Sequence, residues 1–128
     1  MTVRELMDAT ERLYPNQFGA TEKLRWLNEI EQTIYREIVQ THADGSDRAM
    51  PAHTDPDAET ALLAEDPYSR LYGLWMDAQI AYYNQESDAY TAAAAAFNAA
   101  YESYRRQYNR THMPLRRAGG LRLTGGVL

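Results

Sequence analysis

Cysteine is absent from this 128-residue chain, lysine occurs once, at Lys23, and no apolar run approaches the ~18 residues a membrane helix needs. Without cysteine there are no disulfides, no thiol nucleophile and no Cys-based zinc site. Without a long apolar run, no membrane partner is expected. The start, Met1-Thr2-Val3-Arg4-Glu5, has no charged stretch leading into an apolar stretch and a small-residue cleavage site. No secretory leader is therefore expected, and the cytoplasm is the expected site of synthesis.

Several chemistries are missing as well. The three histidines, His42, His53 and His112, sit in or beside loops and have no partner at i, i+4, so a histidine metal site is not expected. Asp55-Pro56-Asp57-Ala58-Glu59 alternates carboxylates but lacks the glycine and the distal glutamate of a calcium loop. It reads as a solvated acidic loop. Gly119-Gly120 and Gly125-Gly126 are not followed by the Lys-Ser/Thr of a phosphate cradle, and they read as hinges. No Gly-x-Ser-x-Gly and no plausible Ser, His and Asp group occurs, so neither an enzyme nor a cofactor is expected.

The charge that is present is unevenly placed. The net charge is -5, but residues 44–66 hold seven acids and one base, whereas residues 103–128 hold six arginines and no acid. Twelve of the thirteen basic residues are arginine, the side chain suited to planar pairing with carboxylate or phosphate.

Helical spacing dominates the rest. Thr2-Val3-Arg4-Glu5 has the spacing of a capping box, and Val3, Leu6, Met7, Thr10 and Leu13 form one stripe up to the break at Pro15. A second helix is predicted over about 21 to 41, with Gly19 or Thr21 as its cap and Leu24, Leu27, Ile30, Ile34 and Ile38 on one face. Periodicity then disappears until Asp66. Within that stretch Thr60-Ala61-Leu62-Leu63 reads as a short extended segment laid over a helix. A loop this long is uncommon in a small domain, which marks 42–60 as a candidate functional region. Asp66-Pro67 predicts the immediate start of a central third helix, dense in Leu71, Leu74, Trp75 and tyrosine. A fourth is predicted from a Ser87 cap to about Thr111, with Tyr90, Phe97, Tyr101, Tyr104 and Tyr108 on one face and the run Ala92 to Ala96 open to close backbone approach. Leu27, Ile34, Leu71, Trp75 and Phe97 are the expected core. The ten tyrosines suit a core, and equally suit interfaces where one end stays wet. The expected fold is all-α: a four-helix bundle-like domain over 1–114, a long acidic loop between helices 2 and 3, and an extended Arg/Gly arm over 115–128.

Three stretches carry a family resemblance. Asp66-Pro67-Tyr68-Ser69-Arg70-Leu71-Tyr72-Gly73-Leu74-Trp75 is one. Ala78-Gln79-Ile80-Ala81-Tyr82-Tyr83-Asn84-Gln85-Glu86 with Tyr90, Phe97 to Tyr101 and Tyr108-x-Arg110-Thr111-His112-x-Pro114 is the second. The third runs from Thr2-Val3-Arg4-Glu5-Leu6 to Trp26-Leu27-Asn28-Glu29-Ile30-Glu31. Together they resemble the small helical head-tail connector proteins of long-tailed bacteriophages, also called head-completion or adaptor proteins. The resemblance spans roughly residues 1–114, and the acidic loop and the arm depart from the family. It implies a structural virion protein of the neck, assembled in host cytoplasm as a homo-oligomeric ring, commonly of twelve subunits. The implied partners are the portal above and a tail-proximal connector or tail-terminator protein below, with DNA passing through the ring without sequence-specific binding.

Two candidate interaction sites follow. In the arm, Leu115, Arg116, Arg117, Leu121, Arg122, Leu123, Val127 and Leu128 are expected to dock on the portal. The alternating Leu-Arg-Leu-Thr suits a strand added to an exposed sheet edge. In the loop, Asp44, Asp47, Asp55, Asp57 and Glu59 are expected to repeat around the ring as an acidic lining that keeps DNA from sticking. The competing expectation, from a different class, is a small DNA-binding regulatory module that uses the arginine-rich tail.

Overall fold

A computed structural model describes residues 1–115 and has four α-helices: α1 Val3–Leu13, α2 Ala20–Ile34, α3 Arg70–Tyr83 and α4 Ser87–Thr111. Among the described residues no strand forms, and extended pairing consists of isolated bridges between Thr2 and Ala61 and between His42 and Pro114. The arm residues Arg116, Arg117, Leu121, Arg122, Leu123, Val127 and Leu128 lie outside the described residues.

The start of α1 follows from its sequence. The Thr2 hydroxyl accepts from the Glu5 amide at 3.2 Å, and the Glu5 carboxylate accepts from the Thr2 amide at 2.8 Å, closing the capping box. The loop supplies further partners for the helix end, since the Val3 and Arg4 amides donate to the Thr60 and Ala58 carbonyls, both at 3.0 Å. The extended segment Thr60 to Leu63 thus lies along the start of α1, and its Leu62 is buried there.

α3 is the central element and packs against α1, α2 and α4. Leu71, Tyr72, Met76 and Ile80 are fully buried, and they meet Leu6 of α1 together with Trp26, Leu27, Ile30 and Ile34 of α2 in one core. Leu27, Ile34, Leu71 and Phe97 are buried as expected, whereas Trp75 is half-buried. Its indole N–H donates to the Trp26 carbonyl at 2.8 Å, and its ring leans on Phe97 at 5.1 Å.

Three element boundaries differ from the sequence expectation. The second helix does not run as α-helix to 41. After Ile34 it widens into a π-turn, Tyr35–Val39, whose closing bond runs from the Gln40 amide to the Tyr35 carbonyl at 2.8 Å. Asp66-Pro67 does not open the third helix, which begins at Arg70. The Asp66 carboxylate accepts from the Ser69 hydroxyl instead of capping amides, and Tyr68 donates to the Glu65 carbonyl at 2.8 Å. Residues 65–69 are therefore a separate turn, and its Asp66–Pro67 peptide is cis. Ser87 is the first residue of α4 rather than its cap, a position taken by Glu86.

The link from α3 to α4 is a Schellman turn. The Gln85 amide donates to the Tyr82 carbonyl at 3.1 Å and the Glu86 amide to the Ala81 carbonyl at 2.9 Å, with Gln85 left-handed at φ 58°. This turn directs α4 back along α3.

Candidate functional site

The 42–60 stretch is a strap tied along α2. Asn28 holds it from both sides, donating to the His53 carbonyl at 2.9 Å and accepting from the His53 amide at 2.7 Å. Gln32 donates to the Pro51 carbonyl at 3.2 Å, and the Tyr35 hydroxyl to the Arg48 carbonyl at 2.6 Å. At its start, Gly45 sits so close to Val39 that a Cβ would lie within 2.6 Å of Val39 Cγ1 and would also strike the Val39 carbonyl oxygen. Only glycine permits that approach.

The predicted acidic residues are strung along this strap rather than gathered. Asp44 lies 3.6 Å from His112 Nε2 at the end of α4, and Glu59 accepts from Arg4 Nη1 at 3.1 Å beside α1. Between them Asp47, Asp55 and Asp57 are exposed, with the Asp55 carboxylate accepting from the Asp57 amide at 2.9 Å. No group of three His, Asp or Glu able to hold a metal occurs among the described residues. Of the predicted arm, Leu115 is described: its side chain is half exposed and its amide donates to the Thr41 carbonyl at 2.9 Å.

Sequence reasoning missed a buried carboxylate. Glu31 of α2 is fully buried and accepts from the Tyr72 hydroxyl of α3, from the Leu63 amide at 3.2 Å, and from His53 Nε2 at 3.2 Å. The Ala64 amide in turn donates to the Tyr72 hydroxyl at 2.8 Å. Burial, reinforced by the facing Glu31, pushes the Tyr72 phenol well above its usual range. One carboxylate thus ties α2, the strap and α3 together. A sign was available in the sequence, because Glu31 falls four residues after Leu27 on the apolar side of α2.

Two aromatic surfaces remain. At the α3–α4 turn Tyr82, Tyr83 and Tyr90 are 58%, 50% and 39% exposed. Tyr82 meets Tyr83 at 5.1 Å and Tyr90 at 5.7 Å, and Tyr83 stacks on the buried Trp26 at 5.7 Å. Beyond this turn α4 exposes Ala92, Ala95 and Ala99 on one side. The second surface is at the other end of α4. Tyr108 stacks on His112 at 3.7 Å and meets the buried His42 edge-on at 4.8 Å. Burial pushes the Tyr104 and Tyr108 phenols upward.

What the arrangement can do is bind: it offers a wet aromatic face, a small-residue helix side and an acidic strap to other surfaces. Comparison with known proteins finds nothing similar: no protein-family model matches the sequence, and no match occurs among curated proteins or solved structures.

Proposed function

We propose that this chain is a head-tail connector subunit of a long-tailed bacteriophage. In this reading it is a structural virion protein that forms a ring under the portal and joins the DNA-filled head to the tail. The observation that carries the proposal is the outer side of α4. Of its 25 residues three are buried, namely Phe97, Tyr104 and Tyr108. The exposed remainder offers Tyr90, Ala92, Ala95 and Ala99, next to Tyr82 and Tyr83, where a solitary helix would carry charge. Small and aromatic residues at a surface suit contact with a neighbouring subunit.

The strap and the arm fit the same reading. Repeated around a ring, the carboxylates of Asp44, Asp47, Asp55, Asp57 and Glu59 repel DNA phosphates and let the genome slide. Leu121, Leu123, Val127 and Leu128 supply the salt-insensitive part of portal docking, and Arg116, Arg117 and Arg122 the part that weakens as salt rises. Deleting residues 116–128 tests this directly. The helical domain should still fold, while attachment to portal-bearing heads should fall by orders of magnitude. Undiminished attachment of the shortened chain rejects the docking arm.

A further inference from the structure

The side of α4 that faces away from the bundle carries a regular pattern. Asp88, Ala92, Ala95, Ala99, Glu102 and Arg106 recur at alternating spacings of four and three, the repeat that keeps side chains on one line where two helices lie together. Phe97 and Tyr104, buried against the rest of the molecule, fall on the opposite side of the helix. Asp88, the three alanines and Arg106 are exposed, and Glu102 is half-buried. Within the fold α4 packs chiefly against α3, which leaves this line uncovered.

The middle of the line is unlike a surface that meets only water. From Ala89 to Tyr101 the helix has no charged residue, although Thr91, Ala92, Ala95, Asn98 and Ala99 are all exposed. A helix face turned to solvent normally carries charge. The alanines are flanked by Thr91, Asn98 and Ser103, so no long side chain there holds a second helix at a distance.

The charged ends select the occupant. Asp88 stands near the start of the helix and Arg106 and Arg110 near its end, and none of the three makes an ion pair among the described residues. Glu102 is already engaged, accepting from Arg105 at 2.6 Å. Each end suits the dipole of its own helix, but a second α4 laid antiparallel satisfies both ends at once. Centred at the level of Phe97, it sets Ala95 opposite Ala99 of the second copy, Ala92 opposite Glu102, and Asp88 opposite Arg106. A two-fold axis repeats every one of these contacts. A parallel copy in register would instead bring Asp88 to Asp88 and Arg106 to Arg106.

We propose that the free protein pairs with a second copy through this face of α4, antiparallel about a two-fold axis. Such a contact closes with two copies, whereas a ring needs a head-to-tail contact. The pair therefore occupies the outer side of α4 and has to part before that side can meet a ring neighbour. This consequence rests on the connector reading, while the pairing itself needs no portal.

Sedimentation equilibrium of the full-length protein tests the pairing, with Asp88→Arg and Arg106→Asp as separate variants whose helix content is checked by circular dichroism. The unaltered chain is expected to show a monomer–dimer equilibrium that weakens as salt rises. Each variant alone sets like charges together twice and should dimerise at least about ten-fold more weakly, whereas an equimolar mixture of the two restores both opposite-charge contacts and should dimerise like the unaltered chain. The chain has no cysteine of its own, so the register is read by mixing Ala95→Cys with Ala99→Cys, which should cross-link to each other faster than either does to itself. A monomer at every concentration, a mixture no stronger than its components, or faster cross-linking of each cysteine variant to itself would each overturn the proposal. Rings formed without portal would also overturn it while supporting the connector reading, so the two fail separately.

Discussion

The Tyr72 hydroxyl donates to the Glu31 carboxylate across a separation of 41 residues, and both side chains are fully buried. A buried carboxylate is tolerable only with its lone pairs satisfied, and Leu63, His53 and Tyr72 do this from the strap and α3. Removing the donor in Tyr72→Phe should lower stability by about 1.5–3 kcal/mol, the range for a hydrogen bond to a charged group. Glu31→Ala, which orphans the Tyr72 hydroxyl, His53 and the Leu63 amide together, should cost more, about 3–5 kcal/mol. Urea denaturation of the two variants checks both. An unchanged midpoint for Tyr72→Phe would remove this bond as a fastener of the strap.

Alkaline pH should attack the same region. The Tyr72, Tyr101 and Tyr104 phenols are all pushed above their usual value of 10.0, chiefly by burial. The folded chain keeps protons that the unfolded chain releases, so the stability these groups contribute is complete below pH 10 and declines as pH rises further. In an alkaline titration followed by tyrosinate absorbance, these three of the ten tyrosines should ionise together with unfolding. Reversible ionisation of all ten in the folded state would contradict this.

Asp77 has the opposite use as a probe. Partial burial raises its pKa, so above the carboxylate range the folded state holds a charge it accommodates poorly, and its penalty is relieved as pH falls through the raised value. Asp77→Asn should therefore be neutral to stabilising at pH 7 and should flatten the pH dependence of melting just above the ordinary carboxylate range. A clear loss of stability at neutral pH would mean that the charge is used.

Two backbone positions should respond in opposite directions. Gln85 occupies the left-handed position of the Schellman turn at φ 58°, where glycine has no Cβ penalty, so Gln85→Gly should stabilise by about 1 kcal/mol. Gly45→Ala would press a methyl into the Val39 carbonyl and should destabilise by about 1–3 kcal/mol. Thermal melting of the pair checks both signs.

The sequence was most legible where structure is made locally. Thr2, Glu5 and Pro15 bound α1 through capping and backbone restriction, and Pro114 follows the end of α4 closely. The boundaries that escaped it depend on particular side-chain and backbone contacts that apolar spacing and capping patterns do not encode. Asp66 turns to Ser69 rather than to free amides, so α3 begins at Arg70. The π-turn Tyr35–Val39 leads into the strap start, where Gly45 packs against Val39. The candidate site divides in the same way. Tyrosines suited to interfaces could be read from composition, but which of them stay exposed depends on the α3–α4 turn that leaves Tyr82, Tyr83 and Tyr90 outside the core.

The central proposal is tested most directly by negative-stain imaging of the full-length protein mixed with its cognate portal. The connector reading predicts rings stacked coaxially on the portal, lost when Tyr82, Tyr90 and Ala95 are replaced by charged residues that leave the helical fold intact. Dispersed monomers beside bare portals, with a mobility shift of duplex DNA by the same protein, would contradict it.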